Sequence, residues 1–205
     1  MGISAANLRK SLDALAILDK DVARAIKNCG YPEPRLRPRG YTTLLRTIVG
    51  QQVSVAAAAA VWNRLEAALG SDCPADKLVA AEFDALRACG LSRQKQGYAR
   101  SLAEMTLAGR LNFDALPTDD EEAIALLTQI KGIGRWSAEI YLLFAEGRGD
   151  IWPAGDLAVQ EAVGRIKKLD TRPTEKALRA MADVWRPHRG ALAIFAWHSY
   201  NMVAI

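Results

Sequence analysis

The stretch Leu127-Thr128-Gln129-Ile130-Lys131-Gly132-Ile133-Gly134-Arg135-Trp136-Ser137-Ala138 sets two glycines around one apolar residue. The apolar positions before it end a helix near Ile130. Gly132 and Gly134 then make a tight turn, and a second helix begins near Gly134. Glycine tolerates positive φ and close approach, and Ile133 pins the turn into a core. The backbone N–H groups of the turn and of the following first helical turn point outward. Together with the helix dipole they form a ready site for an anion.

Working outward, the next informative stretch is Asp150-Ile151-Trp152-Pro153-Ala154-Gly155-Asp156-Leu157-Ala158-Val159. Pro and Gly force an irregular approach, and Asp156 opens a helix as its N-cap. Leu157, Ala162, Val163 and Ile166 are expected to face a core. Elsewhere the chain reads as helices joined by short turns. It contains 36 alanines, the best helix former, interleaved with Leu, Arg and Glu. Apolar residues recur at helical spacing, as in Leu8, Leu12, Leu15 and Ile26, and no run alternates as a strand would. Gly30, Gly70, Gly90 and Gly109 mark helix ends. Ser54, Ser92 and Thr118 mark helix starts, Thr118 with Glu121 at capping-box spacing. The expectation is an all-α protein of roughly ten helices. Tyr31 to Gly40, rich in Pro and Arg, cannot be helical inside and reads as an extended, solvated connection.

Composition narrows the class. The 205 residues are half apolar and 24% charged, which excludes a disordered chain. The longest uncharged run of small or apolar residues, Val53 to Trp62, is about half a membrane span, and the N-terminus lacks an apolar signal region. A net charge of +4 permits an anionic partner without requiring one. Cys29, Cys73 and Cys89 are too few and too scattered for a disulfide scaffold, a zinc site or an iron–sulfur cluster, and read as reduced thiols. His188 and His198 are isolated and read as structural. Trp62 and Trp185 are assigned to the core.

The glycine turn resembles a helix-hairpin-helix that grips the DNA backbone. Two further blocks extend the likeness, Ile48-Val49-Gly50-Gln51-Gln52-Val53-Ser54 upstream and Trp185-Arg186-Pro187-His188 through Trp197 downstream. With the Gly/Pro-rich loop and Asp156 about twenty residues after the hairpin, the chain resembles the helix-hairpin-helix (HhH-GPD) DNA glycosylase superfamily. Within it, the match is to the bacterial 3-methyladenine DNA glycosylase II (AlkA-like) group. That likeness implies two helical lobes around a DNA-binding cleft. One lobe spans about 41–148 and ends in the hairpin; the other combines 1–40 with 149–205. The prototype's N-terminal β-rich domain has no counterpart in these residues.

The resemblance also assigns roles. It makes Asp156 the catalytic carboxylate, stabilising the positive sugar left as a base departs. The lyase members carry Lys two residues after the hairpin's second Gly; Trp136 stands there instead, which implies a monofunctional enzyme using water. Trp136 and Trp197 become base-pocket aromatics, with Trp152, Ile140 and Tyr141 as further wall candidates. An indole face attracts a flat cationic purine by stacking and cation–π attraction. Gly132, Ile133, Gly134, Arg135 and Ser137 fall at the DNA backbone. Gln51, Gln52 and Ser54 match the segment that fills the gap left by the flipped base. Where the prototype has an apolar wedge this chain has Gln52, and Ile140 replaces an aromatic.

The implied partner is double-stranded DNA with a damaged base, and the implied setting is a cytoplasmic, nucleoid-associated monomer with no membrane contact. No cofactor or metal is expected, with a monovalent cation bridging hairpin and phosphate left open. Three alternatives stand beside this reading. One is a glycosylase for a neutral base such as hypoxanthine, ethenoadenine or uracil. Another is a non-catalytic hairpin DNA-binding module. The last is an all-α interaction scaffold.

Overall fold

The computed structural model describes residues 3–202 and, among them, contains helices and turns without strands. Twelve α-helices occur in these residues, divided between two compact units.

The first unit is built from both ends of the chain, Met1–Arg37 and Leu142–Ile205. It holds α1 (Ala5–Leu18), α2 (Lys20–Cys29), α10 (Leu157–Ile166), α11 (Glu175–Met181) and α12 (Arg189–Tyr200). A π-helical turn, Leu142–Glu146, and a short 3₁₀ turn, Ala182–Trp185, complete it. α12 is buried along Gly190 to Ala196. It packs against α10, α1 and α2, which explains its nearly unbroken apolar sequence. Trp185 lies in this core as expected, and both histidines are half-buried. His188 Nδ1 lies 3.2 Å from the Ser11 hydroxyl, and His198 Nε2 lies 2.9 Å from the Cys29 carbonyl.

Asp19 ties this unit together. It caps α2 by accepting from the Asp21 and Val22 N–H groups, and it also accepts from Lys167 Nζ and, at 2.9 Å, from Trp185 Nε1. Burial alone would push its carboxyl up. The hydrogen bonds from Trp185, Lys167 and the backbone outweigh that and hold it below its ordinary value of 3.8. A lowered folded-state value means the stabilisation is present at neutral pH and is lost as pH falls through that value. Thermal melts from pH 7 to pH 3 should therefore show this unit losing stability at the acid end. Asp19→Asn should lower stability at pH 7 by roughly 2 kcal/mol, one charge-assisted hydrogen bond's worth, and flatten the acid dependence.

The second unit, Pro38–Tyr141, contains α3 (Tyr41–Gly50), α4 (Val55–Leu69), α5 (Ala75–Ala80) and α6 (Phe83–Ala88). α7 (Arg93–Leu107), α8 (Asp120–Leu127) and α9 (Arg135–Tyr141) follow. α7 is its axis and packs against α3, α5 and α6. Trp62 is in this core, with the Arg46 guanidinium 4.0 Å from its ring centre.

Local signals mostly hold. Ser54 and Ser92 cap α4 and α7, accepting from the Ala57 and Lys95 N–H groups, and the four stop glycines all have positive φ. Thr118 is not the cap of α8. Asp119 is, accepting from the Glu122 N–H at 2.9 Å. That start puts Asp120, Glu121 and Glu122 in the first turn, where the helix dipole favours acids. Leu157, expected in the core, is exposed, because the capping turn at Asp156 aims it outward.

The seams also move. The extended Pro/Arg segment divides between Arg37 and Pro38, and its arginines are exposed, as a solvated connection requires. The Arg37 N–H donates to the Phe144 carbonyl, and Arg39 donates to the Phe113 carbonyl. The second seam falls at Tyr141/Leu142, where α9 passes into the π-helical turn, so residues 142–148 fall in the first unit rather than with the hairpin.

Candidate active site

In the second unit α8 ends at Leu127, and Ile130 and Ile133 anchor the turn by burying their side chains. Gly132 has φ +80, and a Cβ there would sit 2.1 Å from the Tyr98 ring. Only glycine meets both demands. Gly134 differs. It lies outside the left-handed region, and a Cβ on it would meet nothing within 4 Å. Nothing inside the protein requires glycine there. Its carbonyl accepts the first bond of α9, from Ala138, and it leaves open space in front of the turn.

α7 buttresses this hairpin. Tyr98 fills the space under Gly132, and the Ser101 hydroxyl accepts from the Lys131 N–H at 3.1 Å. One turn earlier, Lys95 Nζ donates to the Val49 carbonyl at 2.8 Å. Burial lowers the pKa of that lysine. The sequence reading missed all three residues, although their spacing of three puts them along one face of α7. The turn after α3 is bound to the hairpin directly, because Gln51 Nε2 donates to the Gly132 carbonyl at 2.8 Å. Gln52, next to it, is exposed with φ +54. Ser54 is exposed, and its hydroxyl accepts the cap bond of α4.

Arg135, expected at the DNA backbone, has its side chain paired within the hairpin. Its Nε donates to Glu139 at 2.9 Å, and its two terminal nitrogens donate to both oxygens of Glu121. Glu139 is 2% exposed, so the guanidinium neutralises a buried carboxylate and stitches α8 to α9. The bonds to Glu121 above all raise its pKa further. Trp136, beside it, is 48% exposed, and Ser137 is half-buried. Ile140 and Tyr141 are buried. The Tyr141 hydroxyl accepts from the Gly40 N–H at 2.9 Å, and its ring meets Phe113 edge-on.

In the first unit the loop before α10 is held at both ends. Asp150 accepts from Arg186 and, through two bonds, from Arg189. Gln160 Nε2 donates to the Ala154 carbonyl at 2.8 Å. The loop delivers Asp156, whose Oδ1 accepts from three donors. These are the Ala158 N–H at 2.9 Å, the Val159 N–H at 3.0 Å and Trp197 Nε1 at 3.2 Å. Trp197 is half-buried on α12, tilted against Phe144 at 5.5 Å. The structure therefore joins Asp156 and Trp197, two residues 41 positions apart.

Trp152 does not join them. It is 3% exposed, packs against Trp185 and spends its indole N–H on the Leu178 carbonyl, so it is core rather than pocket. Among the described residues no group of three or more His, Cys, Asp or Glu converges to hold a metal ion.

Residues 45–187 match the HhH-GPD superfamily of base excision DNA repair proteins, and the chain belongs to that family. It is 32% identical over 203 residues to DNA-3-methyladenine glycosylase 1 of Schizosaccharomyces pombe, covering 96% of this chain and 89% of that one. It is 31% identical to DNA-3-methyladenine glycosylase 2 of Escherichia coli, over 85% of this chain and 64% of that protein. The fission-yeast 3-methyladenine DNA glycosylase solved with abasic DNA superposes with a TM-score of 0.78, covering 92% of this chain and 95% of that chain. The DNA-3-methyladenine glycosidase of Bacillus halodurans superposes at 0.85 with 28% identity, covering 95% and 89%.

Proposed function

We propose that the chain is a monofunctional DNA glycosylase that excises alkylated purines of the 3-methyladenine and 7-methylguanine type. The observation that carries this reading is the Asp156 carboxylate, fixed by three donors on one oxygen, in a chain similar over nearly its whole length to 3-methyladenine glycosylases. An alkylated purine is cationic and leaves as a neutral base. The C1′–N bond breaks, its electron pair departs with the base, and positive charge spreads over the sugar. A carboxylate held in place stabilises that charge and orients the water that adds to C1′. The proton lost by that water goes to the carboxylate or to solvent.

The other residues take supporting roles. The exposed Trp136 face offers a flat cation a stacking surface. The open front of Gly134 lets a phosphate approach the hairpin's N–H groups. Gln52 fills the gap left by the extruded nucleotide. With Trp136 where a lyase carries lysine, that position supplies no amine for a Schiff base, and water is the nucleophile.

The Ile130 carbonyl accepts from Ile133 and the Gly132 carbonyl from Gln51, and each oxygen keeps a second lone pair with which a monovalent cation could bridge hairpin and phosphate. Such an enzyme works as a monomer in the compartment that holds the DNA, read here as the bacterial cytoplasm beside the nucleoid. No helix among the described residues is long and apolar enough to cross a membrane.

The test is base release from methylated duplex DNA, with hypoxanthine, ethenoadenine and uracil oligonucleotides alongside. Free 3-methyladenine and 7-methylguanine are expected, with no borohydride-trapped complex. Release confined to a neutral base would move the enzyme to a different lesion class, and a trapped complex would end the monofunctional reading.

Trp197→Phe keeps the aromatic face and removes the donor to Asp156. Excision should fall about tenfold, the low end for a hydrogen bond to a charged group. Substrate affinity should change little. Single-turnover rates against binding constants check this.

A further inference from the structure

Two exposed turns of the second unit, the hairpin at Gly132 and the turn at Gln51–Gln52, are joined by one side-chain bond, Gln51 Nε2 to the Gly132 carbonyl. Gln51 ends α3 with extended backbone, and the next residue, Gln52, sits at φ +54. A non-glycine residue holds that conformation only where its surroundings over-determine it. The surroundings here are the Gln51 bond on one side and the α4 cap at Ser54 on the other. Lys95 fixes the end of α3 behind the turn, and Tyr98 and Ser101 fix the hairpin on the same helix.

We propose that Gln51 is a positioning residue. It registers Gln52 against the hairpin, so that a hairpin seated on the DNA backbone carries Gln52 into the stack at a fixed offset. The proposal rests on the glycosylase reading. Gln51 acts through Gln52 and not on the base, so its loss should matter only where a nucleotide must be displaced from a paired duplex.

The test uses a defined 7-methylguanine, once in a paired duplex and once in a bulge with no opposing nucleotide. Gln51→Met keeps the length and removes the donor. Its single-turnover excision should fall about tenfold in the paired duplex, the upper end for one hydrogen bond, and less than about threefold in the bulge, with affinity for undamaged duplex nearly unchanged. In a Gln52→Ala background the same change should cost little more, because both act through one step. Gln51→Glu should match the Met variant at neutral pH, where a carboxylate faces the carbonyl. It should recover toward wild type near pH 5, as the protonated acid becomes a donor. Equal losses on both substrates, losses that multiply in the double variant, or a Glu variant indifferent to pH would overturn the coupling alone. If the wild-type chain releases no base from either substrate, the glycosylase reading falls and this proposal with it.

Discussion

Asp156→Asn should slow release of alkylated purines by on the order of a thousandfold while leaving the melting temperature unchanged. The two halves of that expectation come from the same geometry. Asparagine is as good an N-cap as aspartate. Its side-chain oxygen can accept the same bonds from Ala158, Val159 and Trp197 that Asp156 Oδ1 accepts now. The loop and the start of α10 should therefore hold. What disappears is the negative charge opposite the developing sugar cation, and preorganised electrostatic stabilisation of this kind is worth roughly 10² to 10³ in rate. Asp156→Ala should lose the rate and, in addition, about 1 kcal/mol of capping. Single-turnover kinetics beside thermal melts separate the two variants. An asparagine variant as fast as wild type would leave Asp156 as a cap and nothing more.

The second large effect is a contrast between neighbouring glycines. Gly132→Ala should cost roughly 2–5 kcal/mol of stability, from a left-handed φ that alanine resists and from a Cβ driven into the Tyr98 ring. DNA binding should be lost with it, because the turn cannot keep its shape. Gly134→Ala should change stability by no more than about 0.5 kcal/mol, since the added methyl meets nothing. It should nonetheless weaken DNA binding about tenfold or more, by standing between the turn's N–H groups and a phosphate. Melting curves and titrations of both proteins with duplex DNA decide the matter. A Gly134→Ala protein that binds DNA normally would mean that the phosphate does not sit on this turn.

The legible parts of this fold are those fixed by neighbours in sequence. Ser54 and Ser92 cap helices because a hydroxyl reaches an N–H three residues on, and that can be read without knowing the rest of the chain. The start of α8 was displaced by one residue because Thr118, Asp119 and Asp120 all qualify and the dipole decides among them. Asp156 and Trp197 were placed at the site by likeness to a family; their hydrogen bond could not be read from a chain in which 41 residues separate them.

The errors concern side chains whose use is settled by distant contacts. The ion pair of Arg135 with Glu121, 14 positions earlier, is one such contact. Trp152 looks like a pocket aromatic until its N–H is found on Leu178. The bracing of α3 by Lys95 and of the hairpin by Tyr98 and Ser101, and the bond from Gln51 across 81 residues, carry no local signal beyond one helical spacing. Long-range polar contacts to backbone carbonyls leave almost no trace in composition or periodicity.

The three cysteines bear on how such a protein survives its own working conditions. All are buried, and burial pushes the Cys29 thiol up and the Cys73 thiol to about 11. A sulfur that stays covered and protonated is a poor nucleophile, because the thiolate is the reactive form. The electrophiles that methylate purines also consume thiolates. Buried as they are, the Cys29 and Cys73 thiols offer those reagents little thiolate to attack.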